Sequence, residues 1–520
     1  MNARPAAHRL ELTVLLTLAA LALAARLLPG PRTVDDAYIT FRYARNLLDG
    51  HGFVYNPGER VLGTTTPLYT LLLAGLAPVS RTRDFPVLAL AVNAVAGAAS
   101  AVLLYRLGQR FSGRRAIGAA AALLWALAPY SVTFAIGGME TDLTLALILA
   151  AFLAHLERRP RWMAACAALA FLARPDTLIA SGPLFLDLWL SRRRFPWREA
   201  ALTVGLLAPW IVFATLYFGH PLPASIAAKS AVYRLPPTAD LVRLLQHFAT
   251  PFFEFRLLPP LGIVVLFALY VGLATLGGLS ACRSDRRAWP VAVYPLAYSA
   301  VFAVANPLLF RWYLSPPLPA YFLLILTGVW TLSRDLARLA RRTHLPTPQP
   351  ETASGSTPIA AVTLFTAAAL VLTLNAWVLH PDHGPDRPAP EMAWFELERL
   401  YERAADVVRA QAQEGDTLCA GDIGVLGYRT GLPILDTVGL VTPRASAHYP
   451  ADPAIYVINY AIPAELVLDL DPDFIVILEV YGRRGLLPDP RFQARYRLLQ
   501  RIETDIYGSD GMLIFARAAP

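Results

Sequence analysis

The residues best suited to chemistry lie in one short stretch, Val34-Asp35-Asp36-Ala37-Tyr38-Ile39-Thr40-Phe41-Arg42-Tyr43-Ala44-Arg45, directly after the first long apolar run. Adjacent carboxylates so close to hydrocarbon are costly unless they meet water, a cation or a partner, so they mark a functional position. An aspartate there can take a proton from a hydroxyl, and cations beside it can hold a phosphate. The competing reading is a helix cap, since aspartate satisfies orphan N–H groups at a positive helix end. A cap needs only one of the two.

Other polar residues fall where apolar runs end: Glu140 and Asp142, then Arg174-Pro175-Asp176 at a hinge, His220 and Lys229 in one loop, and Arg311 at the mouth of a late run. Lys229 is the only lysine of the chain, so its use where arginine serves elsewhere is informative. Structural alternatives stand beside each. Glu140 and Asp142 can be caps, Arg174 and Asp176 an ion pair, Arg311 an interfacial anchor. Together the charges suit a site that binds a lipid phosphate and deprotonates a hydroxyl. His380-Pro381-Asp382-His383 has metal-binding residue types, but its proline-rich position at a membrane exit favours a solvated linker. Zinc spacing, a Walker loop and Gly-x-Ser-x-Gly are absent from the sequence.

These residues need a membrane to position them. The 520-residue chain is 56% hydrophobic and 16% charged, with mean hydropathy +0.45, whereas a soluble chain carries about 25% charged residues. Apolar runs recur at the length of roughly 20 residues that spans hydrocarbon. The net charge of +8 sits in short arginine-rich loops, which fits positive-inside topology better than nucleic acid binding. The N-terminal run lacks a small-residue cleavage site and reads as an uncleaved span. Cys166, Cys282 and Cys419 fall on different sides, so no disulfide is expected.

Eleven spans are expected, with the N-terminus inside and the C-terminus outside. Leu10 to Leu28 is the first. The loop 29–84 follows outside, with an interfacial helix over Asp36 to Asp49 and a second over Pro67 to Val79, for which a short span is the alternative. Phe85 to Tyr105, Ala116 to Phe134 and a run ending at Leu156 come next, then a broken pair, Trp162 to Ala173 and Thr177 to Leu190. Glu199 to Phe218, Leu257 to Ser280, Trp289 to Ala305, Trp312 to Leu332 and Pro358 to Leu379 complete the set, with Arg334 to Thr357 as a mobile inside linker.

Residues 1–379 thus form an all-α polytopic domain and 380–520 a small extracytoplasmic α/β domain of about 130 residues. In the latter, Glu391 to Glu414, Pro463 to Leu470 and Arg491 to Gln500 read as helices. Thr417 to Ala420, Phe474 to Glu479 and Gly511 to Ala516 read as strands. Gly421-Asp422-Ile423-Gly424 follows a strand but lacks dinucleotide-binding spacing.

The order of motifs resembles the GT-C membrane glycosyltransferases, and within them the cell-wall arabinofuranosyltransferase branch, including its mannosyltransferase-like members. The matching residues are Asp35 and Asp36 after the first span, Thr65-x-Pro67-Leu68-Tyr69, Arg174-Pro175-Asp176, and Pro221-Leu222-Pro223 with Lys229. Gly421-Asp422-Ile423-Gly424 and Gly427-Tyr428-Arg429-Thr430-Gly431-Leu432-Pro433 match in the outer domain. The resemblance implies a polyprenyl-phosphate-sugar donor, inversion at the anomeric carbon, and a base at Asp35 or Asp36. Asp36 is favoured, with Asp35 as helper or ligand of a divalent cation (Mg, Mn or Ca), which some relatives use and others do not. Lys229, Arg174 and His220 would hold the donor phosphate. Tyr38, Arg42, Glu140, Asp142, Asp176 and Arg311 would face sugar or acceptor. The acceptor would be an envelope glycan, lipid or protein, and the location a bacterial inner membrane. A lipid-linked-sugar flippase would need polar groups through the bilayer centre. A non-catalytic scaffold would not need paired aspartates at the interface.

Overall fold

The computed structural model describes residues 3–253, 259–343, 356–379, 386–393 and 395–518. The stretch His380-Pro381-Asp382-His383 lies outside them.

The first long helix, α1 (Ala3–Leu27), stops at Leu28-Pro29-Gly30, and α2 (Asp35–Leu48) begins after an extended Val34. Helix α3 (Pro67–Ser80) opens on a proline, which costs nothing where the N–H would be unpaired. Next come α4 (Phe85–Ser112), α5 (Arg115–Leu127) and α6 (Pro129–Ile136). The expected continuous run from Ala116 to Phe134 is broken between the last two by a 46° bend. Pro129 is the cause: its ring removes a backbone donor and disfavours helical geometry at Ala128.

Helix α7 (Thr141–Leu156) is followed by α8 (Pro160–Ala173) and α9 (Leu178–Arg192), which meet at a short turn over Pro175–Thr177. Helices α10 (Trp197–Phe218), α11 (Ala224–Val232), α12 (Ala239–Ala249), α13 (Pro260–Ser284) and α14 (Trp289–Ala305) lead to α15 (Leu318–Thr343) and α16 (Ser356–Asn375). Helix α15 runs past Leu332, so the first ten residues of the expected linker are helical.

Among the described residues, seven helices are long and apolar enough to cross a membrane, or eight with α5 and α6 taken as one bent span. Helices α3, α7 and α8 are apolar but shorter. Leu216, Val304 and Leu364 are among many large apolar side chains left exposed, as lipid contact requires. The protein is a multi-pass membrane protein.

A short antiparallel pair, β1 (Trp377–Val378) with β2 (Ala389–Pro390), leads into the C-terminal sheet domain. There α17 (Glu396–Arg409) precedes β3 (Leu418–Ala420), α18 (Gly424–Thr430), β4 (Ile434–Asp436), β5 (Phe474–Leu478), β6 (Tyr496–Ile502) and β7 (Met512–Arg517). Strand order is β4-β3-β5-β7-β6. Strand β3 runs parallel to β4 and β5, and β7 is antiparallel to β5 and β6. The all-apolar β5 is buried along its full length at the centre.

Two differences from expectation stand out. Tyr496 to Gln500 is strand rather than helix, because β7 offers an unpaired edge that only an extended segment can satisfy. Ile434 to Asp436, too short to register as a strand, is fixed by pairing with β3.

Candidate active site

Helix α2 links the two domains, and its first turn divides two kinds of work. Asp35 points into the C-terminal domain. Its Oδ2 accepts the Gly424 N–H at 2.9 Å and its Oδ1 the Val425 N–H at 2.7 Å, so it caps α18, a helix 389 residues downstream. A Cβ on Gly424 would collide with the Asp35 carbonyl oxygen, which explains glycine there. The Asp35 N–H in turn donates to Glu398 Oε1 at 3.2 Å. Burial, the Asp422 carboxylate and Asp36 push the Asp35 carboxyl well up, against the pull of its two N–H donors.

Arg42, buried about two turns on, completes this clamp. Its guanidinium donates to the carbonyls of Tyr55 (2.8 Å), Gly427 (2.7 Å) and Leu432 (2.8 Å) and to Asn56 Oδ1 (3.2 Å). Tyr55 donates its hydroxyl to the Ile423 carbonyl at 2.5 Å. Tyr38 packs against Phe41 and Tyr428. Arg42 and Tyr38, expected to face sugar or acceptor, therefore hold the domains together instead.

Asp36 turns the other way, into a cavity of about 340 Å³ that also receives Glu140, Arg174, Asp176 and Lys229, beside a ledge of Thr64, Thr65 and Thr66. Lys229 Nζ stands 3.7 Å from Asp36 Oδ2 and 4.6 Å from the centre of the Phe310 ring. Arg174 makes a bidentate contact with Asp176, 3.0 Å through Nε and 2.8 Å through Nη2. Its Nη1 lies 3.6 Å from Glu140 Oε1 and is buried without a hydrogen bond. Tyr298 donates to Asp176 Oδ2 at 3.1 Å, and the Tyr313 ring lies under the guanidinium at 4.6 Å.

A second cavity, of about 510 Å³, opens on the other side of Asp36, between the two domains. Arg311 lines it with Arg243, Glu398 and Asp422. Burial pushes Glu398 up to about 8. Burial also raises Asp422, to about 6, where Tyr401 donates its hydroxyl to the carboxylate and Asp36 and Lys229 act in opposite directions.

Two expected residues lie elsewhere. Asp142 is fully buried against Arg26, Oδ2 to Nε at 2.5 Å, with Ser131 on the same guanidinium. It neutralises a charge inside α1 and does not line either cavity. The exposed His220 bonds through Nδ1 to the Leu222 carbonyl at 2.6 Å, turning its own loop. Asp422 and Glu398 are not among the expected site residues, because Asp422 sits in a motif without dinucleotide-binding spacing and Glu398 in a charged amphipathic helix. Arg26 carried a signal that went unused, an arginine inside an apolar run, which needs a buried partner.

No group of three or more His, Cys, Asp or Glu side chains converges as a cation site among the described residues. In the first cavity Asp36, Glu140 and Asp176 are each paired with a lysine or arginine. This donor set does not fit a divalent cation, and no step below depends on one.

Residues 392–515 match a family described as a domain of unknown function (DUF8728). The terminal β-(1→2)-arabinofuranosyltransferase of Mycobacterium tuberculosis is 31% identical over 217 residues, which are 38% of this chain and 35% of that protein. The match thus spans about a third of that relative. The crystal structure of ArnT from Cupriavidus metallidurans superposes with a TM-score of 0.56 at 13% identity, over 99% of this chain and 98% of that one. The Archaeoglobus fulgidus oligosaccharyltransferase superposes with a TM-score of 0.55 at 13% identity, over 98% of this chain and 74% of that one. The chain has the fold of these enzymes, the GT-C fold of polytopic membrane glycosyltransferases.

Proposed function

We infer that the protein is an inverting glycosyltransferase that moves a sugar from a polyprenyl-phosphate donor to an extracytoplasmic acceptor, with Asp36 as base. The observation that carries this reading is the first cavity. It sets a carboxylate beside the chain's only lysine and beside Arg174, whose buried Nη1 lacks a hydrogen-bond partner. Cations in that arrangement suit a lipid-linked phosphate, and the threonine ledge suits sugar hydroxyls. ArnT has been solved with undecaprenyl phosphate, and the archaeal oligosaccharyltransferase with dolichol-phosphate. The partial match to an arabinofuranosyltransferase favours arabinofuranose as the first donor sugar to test.

In the reaction, the acceptor oxygen attacks the anomeric carbon from the face opposite the phosphate. The new C–O bond forms as the bond to phosphate breaks, and the electron pair leaves with the polyprenyl phosphate. Asp36 takes the hydroxyl proton. Lys229, 3.7 Å from Asp36 Oδ2, and Arg174 stabilise charge growing on the phosphate. Asp35 serves by holding the C-terminal domain against α2. The expected setting is a bacterial inner membrane, with this face outside.

The test is purified protein in lipid nanodiscs with a panel of radiolabelled polyprenyl-phosphate sugars, arabinofuranose among them. Label appearing on an added acceptor, with release of polyprenyl phosphate, supports a transferase. Movement of intact donor across proteoliposomes without transfer means a flippase. Neither outcome, with donor bound or unbound, means a scaffold.

A further inference from the structure

Edge strand β4 delivers a loop of the C-terminal domain into the membrane domain. The strand ends at Asp436, and Thr437-Val438-Gly439-Leu440-Val441-Thr442 follows. The Asp436 side chain is fully buried and folds the loop around itself. Its Oδ1 accepts the Val438 N–H at 2.7 Å and its Oδ2 the Val441 N–H at 3.0 Å, while its own N–H donates to Thr442 Oγ1 at 2.9 Å. Gly439 takes the left-handed turn, with φ +93°. Amide bonds to a carboxylate are strong, so this loop is a fixed wall.

The loop is wedged between the two parts of the donor site. On one side it presses on Gly63, the residue before the Thr64-Thr65-Thr66 ledge. A Cβ there would stand 2.7 Å from Val441 Cγ1 and 2.9 Å from the Leu440 carbonyl oxygen, so no side chain fits. On the other side Gly439 lies against Ala228, the residue before Lys229; a Cβ on Gly439 would stand 3.6 Å from that of Ala228. Leu440 therefore lines the first cavity between the hydroxyl ledge and the phosphate cation, and among the described residues it alone of the C-terminal domain does so. The cavity holds about 340 Å³, at the low end of the roughly 300–1,000 Å³ usual for small-ligand sites. A packed wall clamped on both sides does not retreat, so an extra group on the sugar meets repulsion.

We propose that Leu440 is the size filter for the donor sugar, admitting a pentofuranose and rejecting a hexopyranose, which is larger by a single CHOH unit. The filter rests on the transferase reading, with Lys229 and Arg174 on the phosphate, and deepens it. The membrane domain holds the phosphate and supplies the base, while a loop of the C-terminal domain limits which sugar fits between them. Truncating Leu440 to alanine opens more space than the extra CHOH unit needs, and enlarging it to phenylalanine takes space from the pentose itself.

The test uses the full chain in nanodiscs and equilibrium binding of three probes: polyprenyl-phosphate arabinofuranose, polyprenyl-phosphate mannose and polyprenyl phosphate alone. The wild type binds the arabinofuranosyl donor about 10- to 200-fold more tightly than the mannosyl donor, the range for one added carbon unit in a shaped pocket. Leu440→Ala narrows the ratio to about threefold or less by tightening the mannosyl donor. Leu440→Phe weakens the arabinofuranosyl donor about tenfold or more. Polyprenyl phosphate lacks the sugar, so its Kd stays within about twofold in both variants, which also shows that they fold. A purely structural leucine would shift all three probes together, and that result overturns the proposal. A donor ratio within about twofold of wild type in both variants overturns it too, as does a wild type that prefers mannose or does not discriminate. If the ratio shifts as expected while labelled sugar reaches no acceptor, the transferase reading fails and the sugar filter stands. If the wild type binds none of the three probes, both fall.

Discussion

Replacing Asp35 with asparagine separates docking from chemistry. In the wild type its two oxygens accept from Gly424 and Val425 at 2.9 and 2.7 Å. Hydrogen bonds to a charged partner contribute about 1.5–3 kcal/mol each. Asparagine keeps one acceptor and turns an NH2 toward the other amide, so one bond is lost and one buried donor is stranded, together about 2–4 kcal/mol. Removing a buried negative charge that Asp422 repels offsets part of this. The net loosening of α18 from α2 therefore falls toward the lower end, about 1–3 kcal/mol, or roughly 5- to 150-fold in the opening equilibrium. Native-state hydrogen exchange at the Gly424 and Val425 amides reads this directly and should accelerate within that range. Transfer should fall no further than the undocked population requires. Full loss of transfer with unchanged exchange at both amides would refute the division of labour and make Asp35 catalytic.

Three further outcomes follow. Arg26→Met leaves Asp142 buried and unpaired, so it should lower stability by about 3–5 kcal/mol, and Arg26→Met combined with Asp142→Leu should recover most of it in thermal unfolding in nanodiscs. Glu398, raised to about 8 in the folded protein from an ordinary glutamate value, binds more protons folded than unfolded. Stability should therefore fall as pH rises from about 4.5 to about 8, by up to about 5 kcal/mol. Glu398→Gln, which keeps an acceptor for the Asp35 N–H, should flatten that slope and raise the unfolding temperature at pH 8. A slope unchanged by the substitution counts against a buried, proton-binding Glu398.

Much of the membrane domain was legible because hydropathy and arginine-rich loops act locally. Trp289 to Ala305 has the expected ends, and α2 begins within one residue of expectation. The break after Ala128 was missed because apolarity continued across Pro129. The charged cluster was legible in part: Asp36, Glu140, Arg174, Asp176 and Lys229 line one cavity, whereas Arg311 lines the second and Asp142 and His220 line neither. What each residue faces was not, because partners lie far along the chain. Asp142 finds Arg26 across 116 residues, and Arg42 finds Gly427 across 385. The strand over Tyr496 to Ile502 was hidden by Leu, Gln and Arg, all good helix formers. Its exposed Arg497 and Arg501 suit the edge position it takes in the sheet.

Removal of the acceptor proton by the Asp36 carboxylate is tested by single-turnover transfer with Asp36→Asn, at donor and acceptor concentrations that saturate both proteins. The expected rate is lower by about 100-fold or more, with exchange at Gly424 and Val425 unaltered. Transfer at the wild-type rate would contradict it.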